Sequence, residues 1–419
     1  MKLGKRLFIA AAAADLLPVM AAGMATAQEK KKLTFLSWNL PVYEEKFRQW
    51  FAEFEEMHPD FEVEWLDKKG SEWATFYQTQ VIAGTQPDII DVQGLLWAEY
   101  AANDHLLDLT PMLDANPDMR ARFADGALDI WELDGSEYML PFYFTKSLLI
   151  YNKDMFDAAG ISDPPADFDG ILETAAKLSG EGKTGFITLN FDWLYWGLME
   201  MNGIELLSDD MSSAAFNTPE MLDVVTRLAE ATTAGHIDKI SWTGRWVEPN
   251  SAFAAGNIGM HQASTSAIFW IAGKAEWMNQ DTVGIVPLPG KVGVPSAHGF
   301  GVAQGTKYPQ EAWDFLKIAT SDKWQSVFAD NFTILTLNKN VDDALIDRIS
   351  SSDPLKSLAL DLSRSDLEYL TATWKTPVDS QLKDAFYPPL QAAFLGEKDP
   401  AEAIAEAERA VNRVLRRLR

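Results

Sequence analysis

Near its start the chain switches repeatedly between the two hydrophobic periods. Residues 33–38 form a short apolar run that reads as a strand, and Phe47, Trp50, Phe51 and Phe54 recur at helical spacing within 43–57. Pro59 and Asp60 break that helix, after which Phe61, Val63 and Trp65 alternate as a second strand. A helical stretch at 73–83 leads through Gly84 to Pro87 and the run at 88–92, which reads as a strand buried on both faces in a parallel sheet. Helical and extended patterns then alternate at 170–178, 185–189, 219–234, 283–287, 301–303 and 309–319. The last stretch, 400–419, predicts an amphipathic helix with Ile404, Val411, Val414 and Leu418 inward. No internal repeat and no low-complexity linker interrupts the series. The order is that of an α/β fold.

One stretch raises a question of its own. The text "LPFYFTKSLLIYNKDMF" at 140–156 places Phe142, Tyr143 and Phe144 in a row directly after a proline. On a strand Phe142 and Phe144 share one face and Tyr143 takes the other. Two rings can serve a core. The third is left for another use.

At 419 residues the chain exceeds the size at which one core stops growing, so two lobes are expected. The 36 basic and 61 acidic residues give a formal charge of −25. Such a surface repels nucleic acid and anionic membranes. The chain has no cysteine, which excludes disulfides and thiolate chemistry. Residues 1–27 follow the order of a secretory signal: Lys2, Lys5 and Arg6, an apolar run interrupted by Asp15, then Ala25-Thr26-Ala27. Cleavage is expected before Gln28. It would remove three bases and one acid, leaving 33 − 60 = −27. The expected product is an exported, periplasmic protein without a lipid anchor.

Motifs for chemistry are scarce. "GEGKTG" at 180–185 spells a dinucleotide fingerprint, but a helical pattern precedes it and a strand-like "GFITLN" follows, the reverse of what that site needs. The phosphate-loop pattern fails too, because Lys177 stands where its first glycine belongs. His58, His105, His236, His261 and His298 are scattered without metal-ligand spacing. No cofactor and no metal is predicted. Carboxylates are numerous enough that a glycosidase-type pair stays open as the alternative from another class.

The aromatic residues point elsewhere. Several of the 15 Trp residues stand beside polar ones, as in Trp38-Asn39, Asp192-Trp193 and Ser241-Trp242, whereas the default place of a Trp is a core. A sugar has one apolar C–H face and a rim of hydroxyls, which a flat ring and amide or carboxylate side chains complement. Burying ~100 Å² of that face is worth roughly 2.5 kcal/mol. One or two rings with several hydrogen bonds reach the ~8 kcal/mol of a micromolar site.

Several segments, in order, carry a resemblance: "HPDFEVEW", "GTQPDIIDVQ", "YMLPFYFTKSLLIYNKDMFDAAG", "FAAGNIGM", "VGIVPLPG", "GFGVAQGTKYPQEAWDFLKIAT" and "LGEKDPAEAIAEAERAVN". From about residue 33 to 415 the chain resembles the extracellular solute-binding proteins of ABC importers, in the carbohydrate branch that includes the maltose-binding protein. The resemblance implies a two-lobed periplasmic binding protein fold with hinge-connected lobes and a ligand cleft between them. It implies chain crossings near 145–148, 298–302 and 337–341. The N-terminal lobe would then take residues 28–146 and 300–340, and the C-terminal lobe 147–299 and 341–419. Tyr143 would lie where the strand enters the cleft, on the face turned to the ligand. Tyr151-Asn152-Lys153-Asp154 matches a family signature that starts the second lobe.

By the same resemblance Trp38, Asn39 and Tyr43 match ligand-contacting positions after the first strand, and Gln93 a cleft-edge position. Asp192 and Trp193 match a polar-aromatic segment of the second lobe, and Gly299 and Phe300 the backbone returning across the hinge. One segment departs from the sugar binders. Where many carry a glycine and a stacking tryptophan, this chain has Gln262, Ser264, Thr265 and Ser266. That run resembles the glycerol-3-phosphate-binding proteins, yet the arginine they are expected to bring from a late segment is missing from "TATWKTPVDS", where Trp374 and Lys375 stand. The implied function is capture of a small-molecule sugar by a monomer that delivers it to an inner-membrane ABC permease with its ATPase. A phosphorylated polyol or phosphodiester is the alternative ligand. No catalysis is expected.

Overall fold

A computed structural model of the chain describes residues 29–92, 96–189, 192–291, 295–370 and 374–418. β1 (Lys31–Trp38), β2 (Phe61–Lys68) and β3 (Ile89–Asp91) are parallel neighbours joined by the helices Glu44–Met57 and Gly70–Ala83. The first helix buries Phe47, Trp50, Phe51 and Phe54, the stripe its spacing predicts. A small hairpin of β4 (Glu132–Leu133) and β5 (Ser136–Glu137) precedes the long β6 (Met139–Asn152). β7 (Thr184–Ile187), β8 (Ile258–Ser264), β9 (Val283–Val286) and β10 (Pro295–Val302) follow, separated by helices. The main sheet runs β2-β1-β3-β10-β6-β8-β7, with β9 also paired to β6.

β6 makes two lobes of one chain. As far as Lys146 it pairs antiparallel with β10, and from Ser147 it pairs with β8 and then also with β9. The cores on either side are separate. The N-terminal lobe gathers Phe35, Trp50, Phe142, Phe300, Phe315 and Phe328. The C-terminal lobe has a core on each sheet face, one with Leu149, Phe186 and Met260, the other with Leu148, Ile150 and Ala263. Neighbours on β6 thus go to opposite faces, as a period of two requires. Phe142 and Phe144 are buried in the N-terminal core, and Tyr143 is only packed against it. The architecture is two-lobed α/β.

Several boundaries differ from expectation. β10 from Pro295 on pairs with the N-terminal half of β6, so residues 295–299 sit in the N-terminal lobe's sheet. The helix Lys339–Ile349 places Val341, Leu345 and Ile346 in the N-terminal core, so a boundary at 340 would cut its continuous apolar face. Leu355 and Ala359, on the next helix (Pro354–Arg364), are the residues that join the C-terminal core, while Leu360 faces back to the other lobe. The crossing therefore follows Ile349. The last helix ends at Leu415, which takes the inward place expected of Leu418, while Leu418 is 49% exposed.

Candidate functional site

The N-terminal wall begins where β1 ends. Asp67 accepts hydrogen bonds from Ser37 Oγ (2.6 Å) and from the Leu40 backbone N–H (3.1 Å), tying the turn to β2. Asn39 takes φ 54°, a left-handed conformation that asparagine tolerates better than most residues. This turn holds Trp38 against His298, with ring centroids 4.3 Å apart and planes 12° apart. His298 Nδ1 lies 2.8 and 3.0 Å from the two carboxylate oxygens of the buried Asp91. Burial raises the Asp91 carboxyl, while His298 and the Trp38 backbone N–H pull it back down. Tyr143 is tilted over the same imidazole at 5.6 Å. Tyr43, at the foot of the first helix, packs edge-on against Phe142 and Phe332, and burial pushes its hydroxyl pKa up.

The register explains why Tyr143 and His298 meet. They pair across β6 and β10, but the ladder slips between His298 and Gly299, leaving Phe142 as the extra residue of a bulge. Bulges re-aim side chains. Here the slip lets Phe300 join Phe142 in the core while His298, two residues before it, shares the other side with Tyr143.

The opposite wall starts at the end of β8. Ser264 caps the helix Thr265–Ala272, its hydroxyl accepting from the Ala267 N–H at 3.2 Å. Gln262 accepts from Thr188 Oγ1 at 3.0 Å, and Thr265 Oγ1 bonds Ser363 Oγ. All three are buried, and these partners fix the wall. Ser266 shares the cavity with Tyr143 of the other lobe, and its hydroxyl offsets part of the upward push of burial on that phenol. Tyr43, Tyr143, Thr145, Thr265, Ser266 and Phe269 line a cavity of about 200 Å³, with Phe332 to Leu335 closing one side. Thr145 Oγ1 and Trp38 Nε1 are buried with no hydrogen-bond partner among the described residues. An unpaired buried group costs about 1–3 kcal/mol, and of the two Thr145 belongs to the cavity lining.

Beside the cavity runs the hinge. Lys146 is buried where β6 changes partners, its Nζ donating to the Ser365 carbonyl, and burial lowers its pKa to about 8. At the other end of the interface the helix Leu96–Ala102 reaches the C-terminal lobe. The Glu99 carboxylate accepts from the Ser380 backbone N–H (2.8 Å) and hydroxyl, and Asn103 Nδ2 donates to the Pro377 carbonyl at 2.9 Å. Lys375 Nζ donates to the Glu132 carbonyl at 2.8 Å. These contacts join the lobes.

The structure therefore brings Tyr43, Tyr143 and Thr265 together at the cavity, links Trp38 to Tyr143 through His298, and leaves Asn39 exposed. It puts Gln262 and Ser264 behind the wall. The resemblance assigns Phe300 through its backbone; its ring lies in the N-terminal core, 4.7 Å from Phe142 and 5.3 Å from Phe35. It has no face left for a ligand. The Cα of Gly299 is turned to Trp131 and the Leu140 carbonyl, where a Cβ would come within 3.2 and 3.0 Å. Asp192 and Trp193 open the helix Asp192–Met201, and Gln93 lies outside the described residues. Sequence reading does not single out Thr145, Phe269 or the pair of Asp91 and His298. The two members of that pair stand 207 residues apart, and only the sheet joins them.

Residues 38–326 match the model of the bacterial extracellular solute-binding proteins, a span of well over half the chain. The chain belongs to that family. Among relatives of this solute-binding protein, a binding protein of Brucella abortus (strain 2308) is 24% identical over 389 residues, covering 87% of this chain and 90% of the relative. The sn-glycerol-3-phosphate-binding periplasmic protein UgpB of Escherichia coli (strain K12) is 30% identical over 141 residues, 30% of this chain and 31% of UgpB. Among solved structures, the ABC substrate-binding protein Lmo0181 from Listeria monocytogenes, in complex with cycloalternan, matches with a TM-score of 0.76 at 21% identity. That match covers 92% of this chain and 99% of the other. At such identity the likeness carries the fold. For this solute-binding protein it agrees with the two lobes and shared strand described above.

Proposed function

We propose that this protein captures a neutral sugar, or a small polyol, in the cleft between its lobes and hands it unchanged to an inner-membrane ABC permease. The reading assigns it to the periplasm, with residues 1–27 removed on export. The observation that carries it is the pairing of unlike walls. Rings of Tyr43 and Tyr143 face the hydroxyls of Thr265 and Ser266 across a cavity of about 200 Å³, and Trp38 adds a third ring beside Tyr143, stacked on the His298 that Tyr143 also meets. A ring wall suits the C–H face of a sugar, and a hydroxyl wall suits its rim. That volume lies below the ~300–1,000 Å³ of usual small-molecule pockets, which favours a ligand of one or two rings. Asp192 and Trp193 are proposed as further contacts from the C-terminal lobe, and Asn39 and Gln93 from the rim. Binding that touches both walls favours the closed arrangement, because only that form satisfies both.

A phosphorylated polyol is the second reading, favoured by the local likeness to UgpB. A thermal-shift screen with maltose, raffinose, tagatose and sn-glycerol 3-phosphate separates the two. A ligand at 100 times its Kd adds about 2.7 kcal/mol, a plain rise in Tm. A shift with glycerol 3-phosphate alone would overturn the neutral-sugar reading, and release of cleaved sugar from raffinose would overturn the binding role.

A further inference from the structure

His298 is held more tightly than a stacking partner needs to be. Nδ1 reaches both oxygens of Asp91, whose side chain is fully buried. A ring nitrogen within 2.8 and 3.0 Å of both carboxylate oxygens suits an Nδ1–H shared between them, and that is the tautomer we take. Nε2 then presents a lone pair. It makes no hydrogen bond among the described residues. One tenth of the His298 side chain stays exposed. Asp91 occupies the Nδ1 edge, Trp38 covers one ring face and Tyr143 is tilted over the ring, so the Nε2 edge is the polar edge left without a partner among the described residues. The register pairs His298 with Tyr143 just before the slip at Gly299.

We propose that His298 Nε2 is a ligand-binding atom of the cleft, accepting a hydrogen bond from a solute hydroxyl beside the Trp38 ring, and that it selects neutral polyhydroxyl solutes against anionic ones. A hydroxyl can donate to a lone pair. A phosphate dianion cannot, and it would also face the negative charge of Asp91 behind the imidazole. Asp91 is the positioning residue that fixes the tautomer. The proposal rests on the solute-binding reading above, and its test keeps the two apart.

The full chain, labelled with ¹⁵N-histidine, is examined by long-range ¹H–¹⁵N spectroscopy alone and with maltose, raffinose, tagatose or sn-glycerol 3-phosphate. The expected result is an unprotonated Nε2 in the free protein whose signal moves on addition of whichever neutral sugar raises Tm, and stays put with glycerol 3-phosphate. His298→Phe keeps a ring against Trp38 and should weaken that sugar about 3- to 10-fold, the range of one lost hydrogen bond. Because this variant leaves Asp91 buried without its partner, Asp91→Asn with His298→Phe is measured beside it and should show the same loss. A protonated Nε2, a signal unmoved at saturation, or full affinity in both variants overturns the proposal. Binding with Nε2 unmoved defeats this proposal alone, whereas no binding of any of the four compounds defeats the solute reading together with it.

Discussion

The two walls of the cleft are built by different means. On the N-terminal side the rings stand on other rings: Tyr43 leans on Phe328 and Phe332, and behind it Phe142 stacks on Phe300, which meets Phe35 and Trp50. Their positions depend on strands and helices from distant parts of the chain. On the C-terminal side the hydroxyls of Ser264 and Ser266 are set by one helix start and lie 2.9 Å apart. A ring needs many neighbours to be held, because dispersion contacts are individually weak. A hydroxyl needs one well-placed partner. Damage to the first wall should therefore spread through its lobe, and damage to the second should stay local.

The largest effect should come from the rings that back the first wall. Trp50 is fully buried among Phe35, Phe47 and Phe315. Trp50→Ala should cost about 3–5 kcal/mol in urea unfolding. Trp38→Ala, at the cleft surface, should leave the unfolding midpoint nearly in place and instead cost about 1–3 kcal/mol of sugar binding. Equal losses of stability in both variants would erase the division between supporting and contacting rings.

Next comes the hinge, which belongs to neither wall. Burial depresses Lys146 to about 8 from 10.5. Between those values the unfolded chain binds a proton that the folded chain has given up, so stability should rise as pH increases from about 8 toward 10.5. Below about 8 both states carry the proton and this slope vanishes. The change is up to about 3 kcal/mol. Lys375 is lowered by burial in the same sense, and the tyrosines raised by burial act oppositely at the upper end of the window. The diagnostic is thus the difference between wild type and Lys146→Met in unfolding at pH 7.5, 9 and 10. An identical slope in both would remove Lys146 from the account.

Local damage to the second wall should be smaller. Ser264→Ala removes the cap of the helix Thr265–Ala272 and should lower stability by about 1 kcal/mol. Its melting should remain a single transition, whereas loss of the whole C-terminal lobe would show that this wall is not local after all.

The smallest effect concerns the contact between walls. Tyr143→Phe or Ser266→Ala removes one of the polar interactions between the lobes and should cost about 0.5–1.5 kcal/mol of closure. Scattering from the free protein should report a larger radius of gyration in either variant. The double variant should add little to the single ones, and full additivity would mean the two hydroxyls do not act as a pair.

Periodicity alone carried most of the elements. The stripe of Phe47, Trp50, Phe51 and Phe54, the alternation in 61–65 and the split of Phe142 and Phe144 from Tyr143 follow from local spacing, since burial of apolar positions dictates which face turns inward. The site was legible only in part. Trp38 stood out as a ring beside a polar residue and Tyr143 as a ring out of phase with a core, whereas Tyr43 came only from the resemblance. The hydroxyl run 264–266 was visible too, but nothing in its spelling distinguishes Ser264, spent on a helix cap, from Ser266, turned to the other lobe. Gly299 and Phe300 stood together in the sequence, and strand geometry gave the second to the core.

What the chain determined by itself is therefore the set of elements and their inward faces, because those depend on neighbours within one turn or one strand. Only the tertiary structure decided the pairings: which half of β6 belongs to which lobe, where the last crossing lies, and that Asp91 would hold His298 beneath Trp38. Those contacts join residues up to 207 positions apart, and their geometry turns on one slipped residue in the ladder of β6 and β10. A slip of one residue reverses every side chain beyond it, and no local pattern records where it occurs.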